Sequence, residues 1–247
     1  MGEVTRQLIG KGRISSIYTD GFYAYKTYPS DYKLSWIEDE VNIQNEISKK
    51  TDLPVINYEL DRANKEIKMD MIKGITLADK MRHEGYKNGL KDLIEIQKRI
   101  HSFTNLNLPK ASLVFKSRIN DANLDESFKV KALKSLYSIE EKSALCHFDL
   151  HFENIMFEGE KLYIIDWVDA KLSNPILDIT RSYIIMREFI PSIASKYLKL
   201  VKENFNVTID EMNKILPFIA AIRLTETTNE KFKKSLVDMI NGNLVLS

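Results

Sequence analysis

The residues that could do chemistry are concentrated in one stretch, Leu145-Cys-His-Phe-Asp-Leu-His-Phe-Glu-Asn-Ile-Met-Phe157, followed by Leu162-Tyr-Ile-Ile-Asp-Trp-Val-Asp169. Reduced to reactive groups, this is His147-x-Asp149, then Asn154 five residues after that Asp, then Asp166 at the end of an apolar run. Phosphoryl transfer needs such a set: one carboxylate to orient an acceptor hydroxyl and take its proton, and a second carboxylate with an amide oxygen to hold Mg²⁺ on the phosphates. The short spacing lets a single loop supply Asp149 as base and Asn154 as metal ligand. Two β-like runs, Asn154–Phe157 and Lys161–Ile165, turn at Glu158-Gly159 and return the chain to deliver Asp166 as the other ligand. His147 and His151 are four apart, but the residues between them are Phe-Asp-Leu on strand-like flanks, not the helical H-E-x-x-H of a zinc protease. His147 therefore reads as a buttress of the loop, and His151 as a phosphate contact or packing.

The elements that must position this set change character near Gly74. Before it, Arg6–Thr19 and Gly21–Tyr28 read as strands around the hairpin signal Asp20-Gly21. Ser35–Lys49 reads as a helix ended by Leu53-Pro54, and Val55–Leu60 and Glu66–Ile72 as two further strands. After Gly74 the period is helical, with candidates at Leu77–Arg82, Leu90–Phe103, Glu126–Ser138, Ile179–Asn204 and Ile209–Thr225. The expected organisation is an N-lobe, residues 1–73, and a helical C-lobe, residues 74–247. In the N-lobe, Ala24-Tyr25-Lys26-Thr27-Tyr28 places a lysine inside an apolar strand, where a charge is costly unless paired. Ile9-Gly10-Lys11-Gly12-Arg13-Ile14-Ser15-Ser16 lies on the first hairpin, where backbone N–H groups around Gly10, Gly12 and Ser15 could face phosphate oxygens. It is neither a Walker A loop nor a dinucleotide-binding turn.

Protein kinases share the layout H-x-D-x-x-x-x-N followed by a metal-binding Asp. Here, however, Phe148 follows the histidine and Trp167 follows Asp166. The pattern His147-x-Asp149-x-His151-x-x-Asn154-Ile155, then Ile164-Ile165-Asp166-Trp167, resembles the aminoglycoside phosphotransferase and choline kinase family of small-molecule kinases. Asn174-Pro175-Ile176-Leu177-Asp178 resembles the family's following element, and His101 its usual helix end. The resemblance implies an α+β, two-lobed protein-kinase-like fold, with an antiparallel N-lobe sheet and one helix. It implies ATP or GTP and Mg²⁺ as cofactors, with Lys26 on the phosphates and Glu40, in preference to Glu46, orienting it. The backbone of Met71 and Ile72 would meet the adenine edge. The implied partner is a small hydroxyl-bearing acceptor, first an aminoglycoside, or else choline, an amino alcohol or a sugar. The segment 104–144 and the helices after Asp178 would line its site, with Asp169, Glu188, Glu226 and Glu230 as the acids available to a cation. A protein kinase of atypical kind is disfavoured by the absence of an A-P-E segment, and a pseudokinase by the presence of Lys26, Glu40, Asp149, Asn154 and Asp166.

Composition excludes several other classes. The 247 residues carry 36 Lys+Arg against 35 Asp+Glu, so a nucleic-acid partner lacks its usual basic excess. The single Cys146 rules out a disulfide framework and reads as a small buried hydrophobe. The first residues, Met1 to Arg6, lack a signal core or myristoylation pattern, and the apolar run Leu216–Ile222 is too short for a membrane span. The expectation is a cytoplasmic monomer or homodimer that binds neither nucleic acid nor membrane.

Overall fold

The computed structural model describes residues 6–12 and 14–246; Met1 to Thr5, read above for targeting signals, and Arg13 of the first hairpin lie outside them. In chain order the described strands are β1 (Gln7–Lys11), β2 (Ser16–Thr19), β3 (Tyr23–Thr27), β4 (Glu59–Asp61), β5 (Glu66–Asp70), β6 (Ile75–Thr76), β7 (Ala144–Cys146), β8 (Ile155–Glu158), β9 (Lys161–Ile164) and β10 (Lys171–Ser173). The helices are α1 (Leu34–Lys50), α2 (Leu77–His83), α3 (Gly89–His101), α4 (Ala111–Asp121), α5 (Glu126–Tyr137), α6 (Pro175–Phe189), α7 (Pro191–Asn204), α8 (Ile209–Leu224) and α9 (Glu230–Asn241). The chain divides into two compact units. The first holds the described residues up to Gly85 together with Glu153–Val168, and the second holds Tyr86–Phe152 with the residues from Asp169 onward. The first unit thus runs past Gly74 and takes in the β8–β9 hairpin.

In the first unit, β1 to β5 form one antiparallel sheet in the order β1-β2-β3-β5-β4. The β2–β3 turn is the expected one: Gly21 has φ 93°, and Asp20 Oδ1 accepts the N–H groups of Phe22 and Tyr23. Helix α1 buries Ile37, Glu40, Val41 and Gln44, a stripe at helical spacing. Ile37 and Val41 join Ala24, Ile56, Ile67, Met69 and Ile72 in one apolar cluster, each large side chain contributing about 1.5–3 kcal/mol of burial. The strand expected over Val55–Leu60 is shorter, Glu59–Asp61. Upstream of it the backbone is satisfied by α1 side chains in place of a ladder: Gln44 Nε2 donates to Ile56 O at 2.6 Å, and Asn45 bonds both backbone groups of Tyr58. A second small sheet, β6-β8-β9, turns at Gly159 with φ 62°. Its ends are tied where Ile165 N–H donates to Asn154 O at 3.0 Å.

The second unit is helical, with β7 and β10 as a short antiparallel ribbon. The helix expected over Ile179–Asn204 is two helices, because Pro191 has no N–H to continue α6 and biases Ile190 toward extended backbone, φ −142°. It also begins earlier, at Pro175, with Asn174 Oδ1 capping Ile176 N–H. Two helices were not expected. In α4 the buried stripe Ala111, Phe115, Ile119 is obscured by exposed Leu113 and Val114, whereas α9 carries a regular stripe of Phe232, Leu236, Met239 and Ile240. Helix α8 is capped by Thr208 and Glu211 and is buried on nearly all sides, which accounts for the apolar run Leu216–Ile222. Its Phe218 ring lies 6.1 Å from Phe115, which in turn lies 5.0 Å from Phe148 of the His147–His151 loop. No helix of the described residues is long and apolar enough to cross a membrane.

Candidate active site

Lys26 sits on β3 with its side chain 12% exposed, so its ammonium depends on nearby carboxylates. Nζ donates to Glu40 Oε1 at 2.6 Å and lies 3.5 Å from Asp166 Oδ1. Burial opposes this charge, but Asp166 and Glu40 outweigh it and hold the lysine pKa above its ordinary value. Glu40 belongs to the buried stripe of α1, whereas Glu46 lies outside it; this is why the first of the two carboxylates meets Lys26. Asp166 adopts φ 62°, a left-handed conformation unusual for a residue other than glycine. Directly after it, Trp167 is buried and donates Nε1–H to Ile164 O at 3.0 Å, so its side chain serves packing.

These groups open onto a cavity of about 290 Å³ within the first unit. Its lining includes the apolar side chains of Ile17, Ala24, Ile56, Met69, Met156 and Ile165. The same lining includes Lys26, Asn154 and Asp166, together with Gly10, Gly12, Ser15, Met71 and Ile72. The turn between β1 and β2 is closed by Gly12 N–H donating to Ser15 O at 2.8 Å, so that amide is used within the turn and is not presented outward. Asn154 and Asp166 offer an amide and a carboxylate oxygen, hard donors of the kind Mg²⁺ takes, and no thiol or imidazole lines the cavity; the residues fit that ion. A larger cavity of about 480 Å³, in the second unit around Arg187 and Glu188, brings together none of these groups.

Asp149 belongs to the second unit, and helix α6 sets its backbone. Phe148 has φ 62°, a strained value for a bulky residue, and its neighbours over-determine it. Asp178 Oδ1 accepts Phe148 N–H at 2.6 Å, Arg181 Nε donates to Phe148 O, and Ser182 Oγ donates to Leu150 O at 3.1 Å. Positions 178, 181 and 182 share one helix face, so a single turn of α6 grips the loop on both sides of Asp149. Asp178 is fully buried and also accepts from Gln97 Nε2 at 3.0 Å and His101 Nε2 at 2.7 Å. Burial pushes its carboxyl up, but His101, Gln97 and the Phe148 N–H outweigh this and hold it below the ordinary range. The ligand atoms of His101, Cys146 and Asp178 lie within 4.8 Å of one another, but the Asp178 oxygens are already engaged, so this cluster is a hydrogen-bonded core. Asp149 itself is 31% exposed, with His151 Nε2 at 3.6 Å from Oδ2. Burial raises its pKa, but His151, Arg181 and His147 outweigh this and leave it below the ordinary carboxyl value. His147 is fully buried and its Nδ1 accepts the Asp149 N–H at 3.3 Å.

The structure therefore gathers Gly10, Gly12, Ser15, Lys26, Met71, Ile72, Asn154 and Asp166 on one cavity, attaches Glu40 through Lys26, and places Asp149 on the loop gripped by α6. The lining residues Ile56, Tyr58 and Met156 were not singled out as site residues from sequence, and Ile165 entered only as part of the motif around Asp166. Arg181 and Ser182 were also missed, although they follow Asp178 at the spacing of one helix turn.

An antiparallel sheet with a lysine–glutamate pair in the first unit, which also holds Asn154 and Asp166, and a mainly helical second unit holding the His147-x-Asp149 loop define a protein-kinase-like phosphotransferase. A family profile described as the phosphotransferase enzyme family matches residues 16–205, and the chain belongs to that family. Among solved structures, it is similar to the choline kinase LicA from Streptococcus pneumoniae, at 15% identity and a TM-score of 0.67 over 96% of this chain and 92% of that one. LicA in complex with AMP matches at 16% identity and a TM-score of 0.68, over 96% and 90% of the two chains. The GDP complex of an aminoglycoside 2′-phosphotransferase-IIIa mutant matches at 15% identity and a TM-score of 0.63, over 97% and 91%. A search of curated proteins finds no match.

Proposed function

We propose that the protein transfers the terminal phosphoryl group of ATP or GTP to a hydroxyl of a small molecule. The observation that carries this reading is one cavity lined both by apolar side chains, of the kind a nucleotide base packs on, and by Lys26, Asn154 and Asp166. In it the backbone of Met71 and Ile72 meets the base edge, the turn around Gly10, Gly12 and Ser15 covers the phosphates, and Lys26, oriented by Glu40, neutralises phosphate oxygens. Asn154 and Asp166 would hold Mg²⁺, which when bound supplies positive charge to the transferring group. Asp149 orients the acceptor hydroxyl. With its pKa held low it is ionised at neutral pH and accepts the hydroxyl proton as the bond to phosphorus forms.

An aminoglycoside-type acceptor is the first guess from family likeness, and the AMP and GDP bound to the two similar kinases support nucleotide use. A less cationic acceptor, such as an amino alcohol or a sugar, is favoured by one specific observation. The acids available to a polycation are already paired: Asp169 Oδ1 with Lys171 at 3.5 Å, Glu226 with Arg118 at 2.9 Å and Arg181 at 3.1 Å, Glu188 with Arg223 at 2.6 Å and Glu230 with Lys233 at 2.7 Å.

The test is ADP and GDP release with Mg²⁺ across aminoglycosides, choline, ethanolamine, amino-acid alcohols, sugars and nucleosides, with Asp149→Asn as the blank. Acceptor-dependent release is expected, reduced by about 10²–10⁴-fold in the variant with nucleotide affinity kept, as for loss of a general base. Undiminished turnover by Asp149→Asn would refute its role.

A further inference from the structure

Glu40 has two carboxylate oxygens, and each has its own partner. Oε1 takes Lys26 Nζ at 2.6 Å, and Oε2 accepts the hydroxyl of Tyr28 at 2.7 Å. Tyr28 stands two residues after Lys26, one past the end of β3, so both side chains leave the backbone on the same side. Its ring is fixed by an aromatic ladder that climbs into α1. Tyr28 stacks on Tyr32 with ring centroids 5.0 Å apart, and Tyr32 meets Trp36 edge-on at 5.1 Å. Trp36 lies one helical turn before Glu40. The hydroxyl, the carboxylate and the ammonium thus form a chain whose two ends, one at the close of β3 and one on the strand itself, hold the carboxylate of α1 between them. Burial and the Glu40 charge keep the phenol protonated, so it remains a donor at any working pH.

We propose that Tyr28 is a positioning residue of the phosphate clamp: by holding Glu40 Oε2, it fixes which way the Lys26 ammonium points. Glu40 is 4% exposed, so water does not readily replace the phenol as donor to Oε2. Without that donor the carboxylate can turn both oxygens onto Lys26, drawing the ammonium away from the cavity. The phenol then acts on nucleotide phosphates only through Glu40 and Lys26, and has no effect on the base.

This inference rests on the nucleotide reading above, and the experiment separates the two. Binding of Mg·ATP and Mg·GTP, and of adenosine and guanosine, is measured by titration calorimetry on wild type, Tyr28→Phe, Glu40→Gln and the double variant. Phenylalanine keeps the stacked ring and removes only the hydroxyl. The expected result is about a tenfold loss of affinity for the better-bound triphosphate, the scale of one hydrogen bond to a charged group. Affinity for the matching nucleoside stays within twofold, and the melting midpoint falls by only a few degrees, the cost of one buried hydrogen bond. In the Glu40→Gln background Tyr28→Phe should add little, because the two act in series. Equal losses for triphosphate and nucleoside, wild-type affinity in Tyr28→Phe, or additive losses in the double variant would each overturn the proposal. Failure of the wild-type protein to bind either triphosphate would instead remove the nucleotide reading, and this inference with it.

Discussion

Replacing Asp178 with alanine removes the acceptor of three separate donors at once. The Phe148 N–H at 2.6 Å, Gln97 Nε2 at 3.0 Å and His101 Nε2 at 2.7 Å all converge on its fully buried carboxylate. Gln97 has a fallback in Ser182 Oγ at 3.3 Å, but His101 Nδ1 is already without a partner, so the ring would be left with none. Each buried donor left unsatisfied costs about 1–3 kcal/mol, and the Phe148 N–H and the His101 ring lose their acceptor outright. We therefore expect a loss of about 3–5 kcal/mol, or roughly 10 °C in the melting midpoint at about 2–4 °C per kcal/mol for a chain of this size. The assay is far-UV circular dichroism, since α3 to α9 all lie in the second unit with Asp178. The pH dependence follows from the same contacts. The native pKa of Asp178 is depressed, so its contribution is complete above the unfolded value of about 3.9 and is lost as pH falls through the native one. The gap between wild type and Asp178→Ala should thus be full at pH 7 and shrink below about pH 4. A variant melting within 2 °C of wild type at pH 7, on the same scale of about 2–4 °C per kcal/mol, would refute the reasoning.

Two further outcomes follow from packing. Gly74→Ala should destabilise the first unit by about 2–3 kcal/mol, because a Cβ there would sit 1.8 Å from Phe157 O and force β6 off β8. Tryptophan fluorescence in urea reads that unit selectively, as Trp36 and Trp167 both lie in it, and an unchanged midpoint would contradict the expectation. Cys146 is fully buried and its thiol pKa is pushed well up by burial and by Asp178. It should therefore react with Ellman's reagent at pH 8 only when the protein is unfolded, and complete labelling of the native protein within a minute would show the burial to be wrong.

The spacing of His147, Asp149, Asn154 and Asp166, the Asp20-Gly21 turn, the buried helix containing Leu216–Ile222 and the family itself were legible in the chain. Each rests on residues in one short stretch of chain, where backbone geometry links order directly to shape. The break at Pro191 and the stripe of α9 were equally local, and a stricter reading of proline and of helical period would have found them. Even Glu40 could have been chosen over Glu46 on periodicity, since it continues the stripe of Ile37, Val41 and Gln44. What only tertiary structure decided depends on side chains far apart in sequence. Gln44 and Asn45 satisfy the backbone of Ile56 and Tyr58 and so shorten the expected strand. Phe148 accepts a left-handed conformation because Asp178 and Arg181 grip its two backbone groups from a helix some thirty residues on. No spacing rule contains those pairings: each exists because buried polar groups must find partners, and the fold determines which partners are within reach.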